Sequence, residues 1–431
     1  MAHNEYLLQY VWKHKLYDLT NLTTTNGESI EVIDTGMQNT NAGPDFLNAK
    51  IKIGDKTWAG NVEIHRASTD WHKHGHHTDK AYNSVILHAA ELINTQIRNE
   101  KGLLIPQFKL SIPAHIQKNA DFLLQTHFEL PCRAHFSRME KSHFNAWLDA
   151  LAIERMERKT TDIYAHLQRF NNSWDETLYV LLSRNFGFGL NSDEFERLAL
   201  SIPLAYIRKH ADDVFTIEAL LFGQAGMLED DTCADTYFIR LKKEYAFLQR
   251  KYMLKPLNGF LFKSLRVRPS AFPQVRIAQL AALLHGADRL FSLILEKEDY
   301  KQLRLHFMAD TSPYWDTHYS FGKASPKKKK HVGDASLNIL LINTIAPILF
   351  AYGKQTDSEK YCDRAMRILA SVPAERNAII TRFKEAKVMP QHAFDSQALI
   401  QLKKEYCDKK KCLYCKIGHS FLLKPSDGMA I

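Results

Sequence analysis

Apolar residues at Leu7, Leu8, Val11, Trp12 and Leu16 recur at helical spacing, which predicts an amphipathic helix over residues 4–16. The period then changes. Residues 30–33 are a short β-type run, 46–53 alternate, and 57–65 resume the alternation after Gly54-Asp55-Lys56, so two strands joined by a tight loop are expected. A polar, histidine-rich stretch at 68–80 leads to a further apolar strand at 84–90, and 103–110 adds one more. From Lys141 onward the pattern is mostly helical, with long stretches over 144–168, 174–184, 193–210 and 275–295. Pro131 and residues 132–136 interrupt the period between the two regions, and 310–331, with Pro313, Gly322 and Pro326, is expected to be a mobile loop. The apolar run 337–350 is broken by Asn338, Asn343 and Pro347, too short and too polar to span a bilayer, and is expected to be a buried core helix.

Length and composition narrow this picture. A chain of 431 residues exceeds what one hydrophobic core usually supports, so two or three domains are expected. Hydrophobic residues at 45% and charged residues at 24% have the balance of a soluble globular protein, which excludes long disordered tracts. The first ten residues carry no basic segment followed by an apolar one, and the expected compartment is the cytoplasm, with reduced cysteines. A net charge of +9 suits a polyanionic partner such as nucleic acid, although many basic proteins bind none.

The hairpin carries the candidate chemistry. With a three-residue loop at Gly54, Asp55 and Lys56, Ile53 pairs with Thr57 and Asp45 faces His65. Glu63 then lies two residues back on the same face, within diagonal reach. A two-residue loop would put Asp45 and Glu63 on opposite faces, so the register is decisive. Two carboxylates converging from adjacent strands can hold magnesium or manganese, which polarises a phosphate and lowers the pKa of an attacking water. His65 is placed to position that water or to bind the ion. Val62 and Ile64 point to the other face.

At Gly43-Pro44-Asp45 and Glu63-Ile64-His65 the chain resembles the PD-(D/E)XK nuclease superfamily, whose core runs helix, three-stranded meander, helix, strand. The resemblance implies metal-binding roles for Asp45 and Glu63, and places His65 where that superfamily has a lysine. The segment from Thr35 to Phe46, together with Trp58-Ala-Gly-Asn-Val-Glu-Ile-His65, Asp70-Trp71 and Val85-Ile-Leu-His88, resembles an uncharacterised bacterial family, domain of unknown function 2851. The expected fold is therefore α+β: a nuclease-like helix plus mixed sheet core over 1–130, a helical domain over 137–400, and a cysteine-rich metal-binding tail over 401–431.

Two further clusters attract attention. His65, His72, His74, His76, His77 and His88 fall close together out of 20 histidines. They fit a zinc site, an active-site loop beside the carboxylates, or a solvated turn around Gly75. Near the end, Cys407, Cys412, Cys415 and His419 offer four soft or borderline ligands, which suit tetrahedral zinc or, with a ligand from elsewhere, an iron–sulfur cluster. Lys327 to Lys330, beside Tyr314, Trp315 and Tyr319, could track a phosphate backbone while a ring stacks on a base. Trp174, Tyr179 and Phe186 are spaced for core packing. Walker, dinucleotide-binding and serine-hydrolase motifs are missing, so those chemistries are not expected; the acidic hairpin and the nuclease resemblance together imply a metal-dependent nuclease acting on DNA or RNA. The alternative is a non-catalytic nucleic-acid-binding or scaffold protein that retains the fold.

Overall fold

The computed structural model describes residues 2–285 and 289–424. The chain divides into two compact units, Met1–Phe144 with Lys403–Ile431, and Asn145–Leu402. The cysteine-rich segment expected as a separate tail is thus part of the first unit, and its residues 425–431 lie outside the described residues.

The first unit opens with helix α1 (Ala2–Lys13), whose Leu7, Leu8, Val11 and Trp12 are buried, as the helical spacing requires. Strands β1 (Ile30–Asp34), β2 (Met37–Gln38), β3 (Phe46–Ile53) and β4 (Lys56–Ala67) follow. A short helix α2 (Asp70–Lys73) and two 3-10 turns (His76–Thr78 and Lys80–Ser84) then lead to β5 (Val85–Leu92) and β6 (Gln107–Lys109). Among the described residues these strands form one mixed sheet in the order β1-β3-β4-β5-β6, with β2 also on β3. β1, β2 and β4 run antiparallel to β3, while β5 is parallel to β4 and β6 parallel to β5. A parallel neighbour requires a crossover, and here residues 68–84 supply it, folded around Trp71, which is fully buried with Tyr82, Val85, Ile97 and Ile105. Helix α3 (Ala114–Gln125) and the 3-10 turn Arg133–Arg138 complete the N-terminal part of the unit.

The hairpin loop differs from the expectation. Ile53 pairs with Lys56, so the loop has two residues, Gly54 and Asp55, and Ala49 lies opposite Gly60. Kept to its end, that register would separate Asp45 from Glu63. It is not kept: Phe46 pairs with Val62, one extra residue having been inserted in β3 between Phe46 and Ala49. The insertion is a β-bulge at Asn48, whose φ of 57° lies in the left-handed region that asparagine tolerates. Its amide N–H donates to the Asn61 side chain at 3.1 Å. Gly36 permits the bulge to approach: at φ 84°, an added Cβ would lie 2.6 Å from the Leu47 carbonyl oxygen.

The second unit is helical apart from a small hairpin of two strands (His318–Ser320 and Lys323–Ala324). Helix α4 starts at Lys141 and runs to Arg169. The single helix expected over 193–210 is two, Ser192–Ser201 and Leu204–Arg208, because Pro203 has no N–H to continue the ladder. The stretch read as 275–295 likewise forms Pro273–Leu284 and Leu290–Glu296, with 286–288 outside the described residues.

Residues 334–355 make a continuous helix long and apolar enough to cross a membrane, yet 67% of its apolar window is buried inside the protein, as in a core helix. It carries a π turn at Leu341–Ile345 just before Pro347. Proline cannot donate back to Asn343, whose carbonyl instead accepts from the Asn185 side chain at 3.3 Å. Tyr179 and Phe186 are core residues, and Trp174 stacks on Phe291.

The segment expected to be a mobile loop, 310–331, is folded. Trp315 is fully buried, and Tyr314 stacks on Tyr237 and His318, so neither ring is available to a base. Lys330 is buried, its Nζ donating to the carbonyls of Asp316 and Lys328 and lying 4.2 Å from the Tyr319 ring centroid. Lys329 pairs with Asp310, leaving a shorter cationic run than four lysines suggested.

Candidate metal centre

Because of the bulge, Asp45 and Glu63 meet directly. The Asp45 amide N–H donates to Glu63 Oε2 at 3.0 Å, and the Ile64 amide N–H donates to Asp45 Oδ2 at 2.9 Å. Gln9, on α1, donates to Asp45 Oδ1 at 2.8 Å. Two residues along β4, on the same face as Glu63, His65 places Nε2 3.3 Å from Glu63 Oε1. Val62 and Ile64, which flank Glu63 in sequence, are fully buried on the opposite face.

The crossover brings two more imidazoles. His76 Nε2 lies 3.2 Å from the same Glu63 Oε1, and His74 Nδ1 lies 3.3 Å from His65 Nε2. One nitrogen from each of His65, His74 and His76 lies within 4.8 Å of the others. Gly75, between the last two, has φ 78° and open space around it, so its role there is the left-handed turn itself. His76 is fixed by stacking on Tyr82, with centroids 3.8 Å apart, and by Trp71 edge-on at 5.3 Å. His72 and His77 pack on each other instead and do not join the cluster.

Behind the cluster, His88 on β5 sits opposite Glu63 in the parallel pairing, its Nε2 3.0 Å from His65 Nδ1. Burial, with His65 beside it, holds His88 down to about 3, so it is neutral. A neutral His88 can accept from His65 Nδ1–H; with an ion bound, His65 Nε2 would then offer its lone pair to the ion in place of its hydrogen bond to Glu63. This is how second-layer groups commonly orient a metal-binding imidazole.

The two carboxyls are electrostatically unequal. Burial and then the charge of Glu63 push Asp45 up, whereas for Glu63 burial is outweighed by hydrogen bonds from His65 and His76, which hold it low. Of the pair, Asp45 takes up the proton first. The cluster lies at the base of a cleft of about 310 Å³, walled on one side by Glu5, Tyr6 and Gln9 of α1.

Three imidazole nitrogens and a carboxylate oxygen are a donor set for zinc, manganese or another transition ion rather than for magnesium, which prefers oxygen. The expected trio of Asp45, Glu63 and His65 is assembled. The sequence reading had His74 and His76 only within a general histidine excess, and nothing in it pointed to Gln9. The tail residue His419 is placed elsewhere: its Nδ1 is 2.5 Å from the Tyr10 hydroxyl and its ring lies against His14.

Neither the comparison with curated proteins nor that with solved structures gives a match. The family model described as protein of unknown function (DUF2851) matches residues 5–378, and the chain therefore belongs to that family.

Proposed function

We propose that this protein is a metal-dependent phosphodiesterase of nuclease type, with its ion held by His65, His74 and His76 beside Glu63. The observation that carries the reading is the convergence of three imidazole nitrogens within 4.8 Å of one another on a carboxylate at the base of a cleft. Such an ion supplies Lewis acidity toward a phosphoryl oxygen and a bound water of lowered pKa. The chain's own groups do the rest. His88 orients His65, Glu63 orients His65 and His76 together, and Asp45, clamped by Gln9 and the Ile64 amide, presents the second carboxyl beside the ion site. The net charge of +9 favours a polyanionic substrate. Purified protein, loaded in turn with zinc, manganese and magnesium, is to be assayed on single-stranded, duplex and branched DNA and RNA. Metal-dependent cleavage lost in Glu63→Ala and His76→Ala is the expected result; no cleavage with any ion refutes it.

One observation favours a second reading, a non-catalytic nucleic-acid-binding protein. Each oxygen of Asp45 and Glu63 already has a partner within the protein, so the acidic pair is internally satisfied. On that reading nucleic acid binds without cleavage, persists with chelator, and weakens steeply with salt.

A further inference from the structure

Cys132 lies between α3 and the 3-10 turn Arg133–Arg138, buried, with the whole second unit separating it in sequence from Cys407. In the folded chain it lies within electrostatic reach of Cys407, Cys415 and Cys412, and those three lie within reach of one another.

Packing on both sides fixes the juxtaposition. The Asn119 side chain of α3 donates to the carbonyls of Phe421, Leu422 and Lys424 at 3.3, 3.1 and 2.9 Å. Phe122 stacks on Phe421, and His135, three residues beyond Cys132, has Nε2 3.0 Å from Ser420 Oγ. Lys410 Nζ reaches the Thr126 carbonyl at 2.5 Å, and the Cys412 thiol approaches the Leu123 carbonyl at 3.9 Å. Cys415 caps the C-terminal helix Lys416–Leu422, and Gly418 lets that helix close on the Cys412 backbone, where a Cβ would come within 2.1 Å of the carbonyl oxygen. All six cysteines of the chain are thiols, none in a disulfide.

We propose that Cys132, Cys407, Cys412 and Cys415 form a four-thiolate centre for a thiophilic metal, either zinc or an iron–sulfur cluster, which ties the two sequence-distant parts of the first unit together. Cys132 and Cys415 are buried and Cys407 and Cys412 half-buried, so a cation held among the four sulfurs would be largely shielded from water. A bound cation would take the four sulfurs as thiolates, displacing their protons. Cys132, Cys407, Cys412 and Cys415 are electrostatic neighbours of one another, whereas His419 has its Nδ1 on the Tyr10 hydroxyl and its ring on His14. The site does not depend on the phosphodiesterase reading and shares no residue with it.

The test uses the full chain purified anaerobically in a His65→Ala/His74→Ala/His76→Ala background, so that metal bound at the histidine site does not enter the count. Metal analysis and acid-labile sulfide are expected to give one equivalent of zinc, or iron with matching sulfide and visible absorption. Zinc and iron–sulfur both support the proposal and are told apart by the sulfide. Cys132→Ser is expected to lower metal content at least tenfold, while His419→Ala and Cys233→Ser retain it. Because Cys132→Ser can also fail to fold, alkylation of the parent chain under native conditions gives an independent readout. Cys132, Cys407, Cys412 and Cys415 should become reactive together when the metal is stripped. Absence of metal, release of the thiols by reductant instead of by metal removal, or loss of metal in His419→Ala with retention in Cys132→Ser overturns the proposal.

Discussion

Asp45 and Glu63 face each other across β3 and β4, joined by an amide-to-carboxylate hydrogen bond of 3.0 Å, and a single inserted residue at Asn48 puts them there. The sheet's side-chain period is two, so one residue more or less in β3 moves Asp45 to the other face.

Removing the bulge should therefore dismantle the site. Deletion of Asn48 is expected to abolish metal binding at the histidine cluster while far-ultraviolet circular dichroism stays that of an α+β protein. Asn48→Gly, which keeps φ 57° accessible, should retain binding, and Asn48→Val should lose about 1–2 kcal/mol of stability in urea denaturation, from left-handed strain. Retained binding in the deletion variant would show that the bulge does not set the site.

His74 and His76 should separate affinity from stability. His74 is exposed, so His74→Ala is expected to weaken zinc or manganese binding tenfold or more in titration calorimetry with stability changed by less than about 0.5 kcal/mol. His76 is buried against Tyr82 and Trp71, and its alanine variant should lose both metal and about 1–3 kcal/mol. Equal metal affinity in wild type and His74→Ala would remove His74 from the ligand set.

Glu218 supplies a pH test in the second unit. Its Oε2 accepts from the Tyr237 hydroxyl at 2.8 Å and the Trp315 indole N–H at 3.1 Å, while Oε1 is buried without a partner. Burial pushes the carboxyl from 4.5 up to about 7, against the pull of hydrogen bonds from Ser312, Trp315 and Tyr237. The folded chain then keeps a proton that the unfolded chain has released, so this group's contribution to stability is greatest below pH 4.5 and falls as pH rises toward 7. The fall attributable to this group is at most about 3 kcal/mol. Glu218→Gln should flatten it, so the variant gains on wild type between pH 4.5 and 7.5, in a window that brackets the shift. Parallel denaturation profiles across that range would contradict the assignment.

The lysine run divides by burial. Lys330→Ala breaks two hydrogen bonds and the contact with Tyr319, and is expected to cost about 1–2 kcal/mol in thermal or urea unfolding. The triple variant Lys327→Ala/Lys328→Ala/Lys329→Ala should be nearly as stable as wild type, since these side chains are exposed. If this surface contacts nucleic acid, the triple variant lowers the salt slope of binding, read by fluorescence anisotropy. An unchanged slope would exclude it.

The sequence by itself determined the α+β class, the helical spacing of α1, the alternation of β3 and β4 and the mostly helical character of the second unit, because those follow from local periodicity and from where proline and glycine stand. It also brought Asp45, Glu63 and His65 into view, through a register that the protein does not use. Tertiary structure decided the rest. Whether two carboxylates share a face depends on one backbone torsion at Asn48, which periodicity cannot carry. Which histidines meet depends on the crossover closing over β4, so that His74 and His76 join His65 while His72 and His77 do not. The approach of Cys132 to Cys407, Cys412 and Cys415 depends on the chain returning to its first unit after the second is complete, a relation that spacing along the sequence does not contain.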